Sequence, residues 1–190
     1  RAAADLIRVC AFLEPGAIPK EIFTKGGAHL GEQLSMLVDD ELGFEEAVKD
    51  AGRFSLLDRN SETETLEIPR LVQEVIKDGM GNDIKRKWVE RVVLAINEVL
   101  PALESLEYKD WPIYERLLPQ VRMVAQLIEY WQIIEANAAR LLEQFALYLK
   151  ERAQYVEAES LYRRAFKVYE QALGREHLSV ATTLNNLAGL

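Results

Sequence analysis

Two histidines, one cysteine and several carboxylate runs are the side chains in this 190-residue chain that suit proton-transfer, nucleophilic or metal chemistry. A zinc site needs three or four His, Cys or carboxylate ligands at short, regular spacing. His29 and His177 stand far apart and Cys10 is the lone thiol, so no metal is expected. Cys10 lies on an apolar helical stripe with no histidine partner, which reads as a small buried hydrophobe and not a nucleophile. Asp39-Asp40-Glu41 and Glu45-Glu46 read as solvated faces. No G-x-x-x-x-G-K-S/T phosphate loop and no G-x-G-x-x-G occurs, and Gly26-Gly27 lacks the Lys-Ser/Thr partner that would hold phosphate. The residues therefore predict no catalytic group, no cofactor and no enzyme activity in this chain.

Composition narrows the classes further. Hydrophobic residues make up 49% and charged residues 28%, with ten Gly and six Pro. This is a helix-leaning globular composition, long enough to bury a core. No apolar run reaches the roughly 18 residues a membrane helix needs. Asp5, Arg8 and Glu14 interrupt the first apolar stretch, so these residues do not read as a secretory leader. One cysteine excludes an internal disulfide framework and suits a reducing cytoplasm. A net charge of -8 argues against a nucleic-acid surface, where Lys and Arg must displace counterions. The chain lacks an initiator methionine and its last residues fall inside a helical pattern, so it is expected to be a piece of a longer protein.

Periodicity gives the elements. Leu6, Ile7, Cys10 and Leu13 share a face at helical spacing over residues 2–13, stopped by Glu14-Pro15-Gly16. Short helices are predicted over residues 18–25, 30–38 and 44–51. Phe54, Leu56 and Leu57, then Leu66 and Ile68, flank the polar stretch Asp58-Arg59-Asn60-Ser61-Glu62 and predict a β-hairpin. Leu71, Val72, Val75 and Ile76 form the stripe of a helix over residues 70–77. Short helices, a hairpin and a closing helix predict a winged-helix domain over residues 1–78. Asp78-Gly79-Met80-Gly81-Asn82 reads as a hinge. Beyond it lies a helical linker or degenerate repeat over residues 79–137: a long helix carrying Ile84, Trp88, Val92, Ala95, Ile96 and Val99, then two helices, 113–118 and 121–131, divided by Pro119. Residues 138–150 and 156–173 predict an antiparallel pair.

The end of the chain repeats itself. Ala139, Leu142, Phe145 and Ala146 recur at one constant offset as Ala181, Leu184, Leu187 and Ala188. Small residues at Ala146, Ala158 and Ala165 let helix backbones approach, and Tyr155, Leu161 and Tyr162 fill the space around them. A helix pair of this kind cannot bury both faces alone, so such units stack. AQYVEAESLYRRAF, LGREH and ATTLNNLAGL resemble the longer tetratricopeptide repeat of kinesin light chains and bacterial relatives. The resemblance covers one complete repeat and the first helix of the next, residues 138–190. It implies an α-solenoid and a structural role for His177 in the turn after the second helix. Ala153 stands where that family usually has Gly, and Leu178 where Pro usually follows His.

A winged helix followed by helices and such repeats resembles part of a STAND-type (NB-ARC) signalling ATPase. LEIPRLVQEVIKDGM resembles the end of that family's winged helix, and WPIYERLLPQV its linker. The resemblance implies an upstream ATPase domain in the parent chain, repeats that sense a protein or peptide, and oligomers on activation. The family usually places a nucleotide-sensing His in the segment occupied here by Ile68-Pro69-Arg70. Pro69, at the matching position, offers neither side-chain donor nor backbone N–H, which leaves Arg70 as the nearby group for phosphate.

The competing class is a winged-helix transcription regulator with a repeat-based effector domain. The helix that would enter the major groove carries Glu45, Glu46 and Asp50 against Lys49, a face that repels phosphate. For the repeats, the expected peptide-binding face runs along Arg140, Glu143, Leu147 and Lys150, one turn apart, with Asn185 and Asn186 on the next repeat. An Asn amide both donates and accepts, so it pairs with peptide backbone of any sequence.

Overall fold

In a computed structural model, residues 1–101 and 108–190 are described. Six residues of the expected linker, 102–107, lie outside them. The described chain is mostly helical with one small sheet, and it divides into two compact units, Arg1–Val99 and Leu100–Leu190. The division falls at the end of the long helix after the glycine-rich segment 79–81, because that helix packs within the first unit through Trp88, Val89, Val92, Val93 and Ile96.

The first unit runs α1 (Ala2–Cys10), β1 (Ile18–Pro19), α2 (Glu21–Thr24), α3 (Glu32–Ser35), α4 (Glu41–Gly52), β2 (Asp58–Asn60), β3 (Thr65–Glu67), α5 (Arg70–Asp78) and α6 (Asn82–Val99), with a 3-10 turn at Gly27–His29. Leu6, Val9, Cys10, Phe12 and Leu13 are buried at the centre, and Phe23 meets Phe44 with ring centroids 6.0 Å apart. Asp40 caps α4, its side chain accepting from the Gly43 amide at 2.9 Å, which satisfies one of the orphan donors of a helix start.

Three expectations are corrected here. Residues 18–19, expected at the head of a helix, pair as a strand with β3 (Ile18 opposite Leu66), so the hairpin becomes a three-stranded antiparallel sheet of order β1-β3-β2. Ile18 earns that place through burial against the core, a tertiary effect that local period does not reveal. The first hairpin arm is not residues 54–57 but Asp58–Asn60, and Phe54 is exposed. Asn60 makes the turn, its Oδ1 accepting from the amides of Glu62 and Thr63 at 3.0 and 3.1 Å, the Asx pattern that competes with an extended ladder. The helix expected over 30–38 shortens to α3, because Gly31 takes φ 103 and breaks the path from the 3-10 turn.

The second unit runs from a 3-10 turn at Tyr108–Asp110 through α7 (Trp111–Tyr130), α8 (Ala136–Glu151), α9 (Tyr155–Leu173) and α10 (Leu178–Ala188). A fourth correction applies here: α7 continues through Pro119. A mid-helix proline forfeits one hydrogen bond and crowds the carbonyl four residues back. Pro119 and Glu115 both face solvent, while Tyr114, Leu117, Val121, Val124 and Ile128 are buried on the other side, so packing on both flanks holds the helix together.

The expected antiparallel pair is present as α8 and α9. Ala138, Ala139, Leu142, Phe145 and Ala146 of α8 and Ala158, Tyr162 and Ala165 of α9 are fully enclosed. The turn between the helices ends α8 with two hydrogen bonds, Gln154 N–H to the Leu149 carbonyl at 2.8 Å and Ala153 N–H to Lys150 at 2.9 Å. That is the Schellman pattern, whose C′ residue turns left-handed. Ala153 occupies it at φ 57, which explains why glycine is the usual residue there. α7 ends the same way, with Gln132 at φ 52 and Ile133 N–H donating to Ile128 at 3.0 Å.

Candidate functional site

Four residues of α8, Arg140, Glu143, Leu147 and Lys150, lie three or four positions apart and so project along one side of the helix. Their surroundings differ. Glu143 is 6% exposed, and a buried carboxylate is tolerable only when donors replace its water. Three do: the Thr183 hydroxyl at 2.8 Å and the Asn186 amide at 3.5 Å on Oε1, and the Tyr169 hydroxyl at 3.3 Å on Oε2. Glu143 therefore ties α8 to both α9 and α10, and its lone pairs are spent inside the unit. Arg140, Leu147 and Lys150 are half-buried, with the Lys150 ammonium beside Gly189. Asn185 is exposed, whereas Asn186 turns toward Glu143.

Of the six expected partner-binding residues, Glu143 and Asn186 thus join one internal polar network, and Asn185 is the group presented to solvent. The structure adds Thr183 and Tyr169 to the cluster. Thr183 carried a legible signal, since the repeat offset matches it to Leu141: a hydroxyl stands at a core position, and such a group needs a partner. Burial pushes the Tyr169 phenol up, reinforced by the negative charge of Glu143 and eased by Arg140. Burial and the charges of Glu143 and Glu151 do the same for Tyr162.

The remaining candidates separate from this cluster. Pro69 is the exposed N-cap of α5 at φ -60 and ψ 135. Arg70 follows it, its side chain 82% exposed and its nearest carboxylate that of Glu14 at 3.8 Å. Cys10 is fully buried in α1, and desolvation drives its thiol far above the ordinary range, which keeps it protonated and unreactive. His29 faces Glu98 at 3.4 Å. His177 is the N-cap of α10, its Nδ1 accepting from the Ser179 amide at 3.2 Å. Its backbone, φ -72 and ψ 142, is the extended conformation that a following proline requires, so the Leu178 position keeps proline-ready geometry. Among the described residues no group of three His, Cys, Asp or Glu gathers to hold a metal, and no helix is long and apolar enough to cross a membrane.

On the α4 side, Glu41, Glu46 and Asp50 are exposed alongside Lys49 and Arg53. Glu45 binds Lys20 at 3.5 Å and forms an ion pair with Arg59 on β2. The cations near this helix are in part neutralised by its own carboxylates.

Comparison with known proteins gives two matches. A model described as a domain of unknown function (DUF7779) matches residues 1–85. A tetratricopeptide repeat model matches residues 137–190. No curated protein and no solved structure matches the chain. The C-terminal helices are therefore tetratricopeptide-type repeats, a module that generally serves protein–protein interaction.

Proposed function

We propose that this chain is the interaction and regulatory segment of a STAND-type signal-transduction ATPase. In this reading residues 1–78 are its winged helix, relaying to an ATPase domain elsewhere in the parent protein, and the repeats form an α-solenoid that senses a protein or peptide.

One observation carries the interaction half. Under the repeat offset, Ala139, Leu142 and Ala146 of α8 are 0% exposed, whereas their counterparts on α10, Ala181, Leu184 and Ala188, are exposed, Leu184 by 46%. α8 packs against both α9 and α7, whereas the second set stays open to water and offers an apolar helix face for a partner to bury. The side of α8 and α10 that bears Arg140, Lys150 and Asn185 keeps polar donors available for an extended chain.

The relay half rests on the element order of the first unit, helices followed by a three-stranded sheet and a closing helix, and on the sequence resemblance. Pro69 at the family's nucleotide-sensing position implies that any inhibited state is held by contacts other than that latch. A DNA-binding regulator is the alternative. The exposed acids of α4 count against it, because they would face phosphate.

Both halves are open to test. Reading the coding sequence upstream of Arg1 for a phosphate loop and assaying that product for ATP hydrolysis tests the relay; absence of both removes the STAND assignment. DNA binding measured across a salt series tests the alternative, and a steep salt slope would revive it. Asn185→Ala in the parent protein should weaken partner binding at unchanged thermal stability. Asn186→Ala perturbs Glu143 as well and is the less clean probe.

A further inference from the structure

α7 and α9 are laced together by two clasps. Arg122 binds Glu157 through two hydrogen bonds of 2.7 and 2.8 Å, and two turns along Arg164 reaches both Glu129, at 2.9 Å, and the Ala125 carbonyl, at 2.5 Å. Just past the second clasp, where α7 stops, a groove opens between the end of α7, the turn into α8, and α9. Its floor is aliphatic: Ile128, Ile133 and Val168 are buried beneath it, and Ile134 forms a wall 43% exposed to water. Its mouth is cationic, with Arg164 and Lys167 set against Glu129. Arg164 already holds Glu129. Lys167 is exposed and has no ion-pair partner among the described residues, which leaves the mouth with one net positive charge.

We infer that this groove is a second protein-docking site, which takes a branched aliphatic side chain flanked by carboxylates from an acidic partner segment. The partner side chains that dominate protein association seat in desolvated pockets, and a rim charge selects the sign of what approaches. A basic segment would meet Lys167, the mouth's unpaired charge, head-on. A purely polar one would leave the isoleucine wall wet. The site lies on the α7–α9 side and does not use Arg140, Lys150 or Asn185, so it stands independently of the α8–α10 face.

The test uses the full chain with isoleucine and valine methyl groups and asparagine side-chain amides labelled for NMR. The probe is a blocked heptapeptide, Gly-Ser-Leu-Asp-Glu-Gly-Ser. Titration should shift the methyl signals of Ile128, Ile133, Ile134 and Val168. Alanine in place of the peptide's leucine, or lysines in place of its acids, should weaken the response about fivefold or more. Lys167→Glu, an exposed substitution whose fold is checked by circular dichroism, should weaken it to the same degree. Three results would overturn the site: no shift, an equal response to the lysine peptide, or shifts confined to Asn185 and Asn186. The last would place the peptide on the α8–α10 face and support that reading instead.

Discussion

Thr183 of α10 and Glu143 of α8 meet at 2.8 Å inside the repeat unit, hydroxyl donating to carboxylate. The pair links the first helix of one repeat to the first helix of the next. It also converts a residue that looks, on the helix wheel, like part of a binding face into an internal brace. The same Thr183 hydroxyl lies 2.8 Å from the Ser179 carbonyl, so its one proton serves two acceptors.

Thr183→Val keeps the shape and removes the donor. A buried carboxylate short of one partner costs about 1–3 kcal/mol. Urea unfolding should show a lower midpoint with an unchanged slope. An unaltered midpoint would mean that Tyr169 and Asn186 satisfy Glu143 without it.

Ala153→Gly should stabilise the unit. An L-residue in the left-handed region costs on the order of 1 kcal/mol, which glycine escapes. For a unit of this size that corresponds to a rise of about 4–8 °C in its Tm. A fall in Tm would show that the alanine methyl makes a compensating contact.

Gln73 is the one buried residue of α5, its amide donating to the Cys10 and Leu13 carbonyls at the end of α1, both at 2.8 Å. Gln73→Leu fills similar space, strands the Leu13 carbonyl and leaves the Cys10 carbonyl with only the Leu13 N–H at 3.3 Å. The expected loss is about 2–3 kcal/mol, read as a lower midpoint of the first unit in denaturant. Wild-type stability would show that the α1 end is hydrated and needs no such cap.

The buried tyrosines predict an alkaline limit. Burial raises the Tyr114 phenol to about 12, with help from the charge of Asp110 and opposition from Arg140. An unfolded tyrosine titrates near about 10. A folded value above the unfolded one favours the protonated form, so the stability it contributes is complete below about pH 10 and is lost as pH rises through about 12. Unfolding free energy should hold level and then fall across that window, less steeply in Tyr114→Phe. Identical slopes in the two proteins would assign the fall to other groups.

What the sequence determined by itself is local. Helical period marked both arms of the α8–α9 pair, and the constant offset announced the repeat. Even the brace left a trace, because Thr183 replaces a core leucine in register. Tertiary structure decided the rest. Ile18 becomes a strand only because Leu66 lies beside it, α7 survives Pro119 only because both its flanks are packed, and α5 exposes Leu71 and Val75 while burying Gln73. The physical reason is common to all three. Periodicity reports which residues share a face, but whether that face meets water, a carbonyl or another helix depends on neighbours distant in the chain, whose burial energies exceed the local preferences they override.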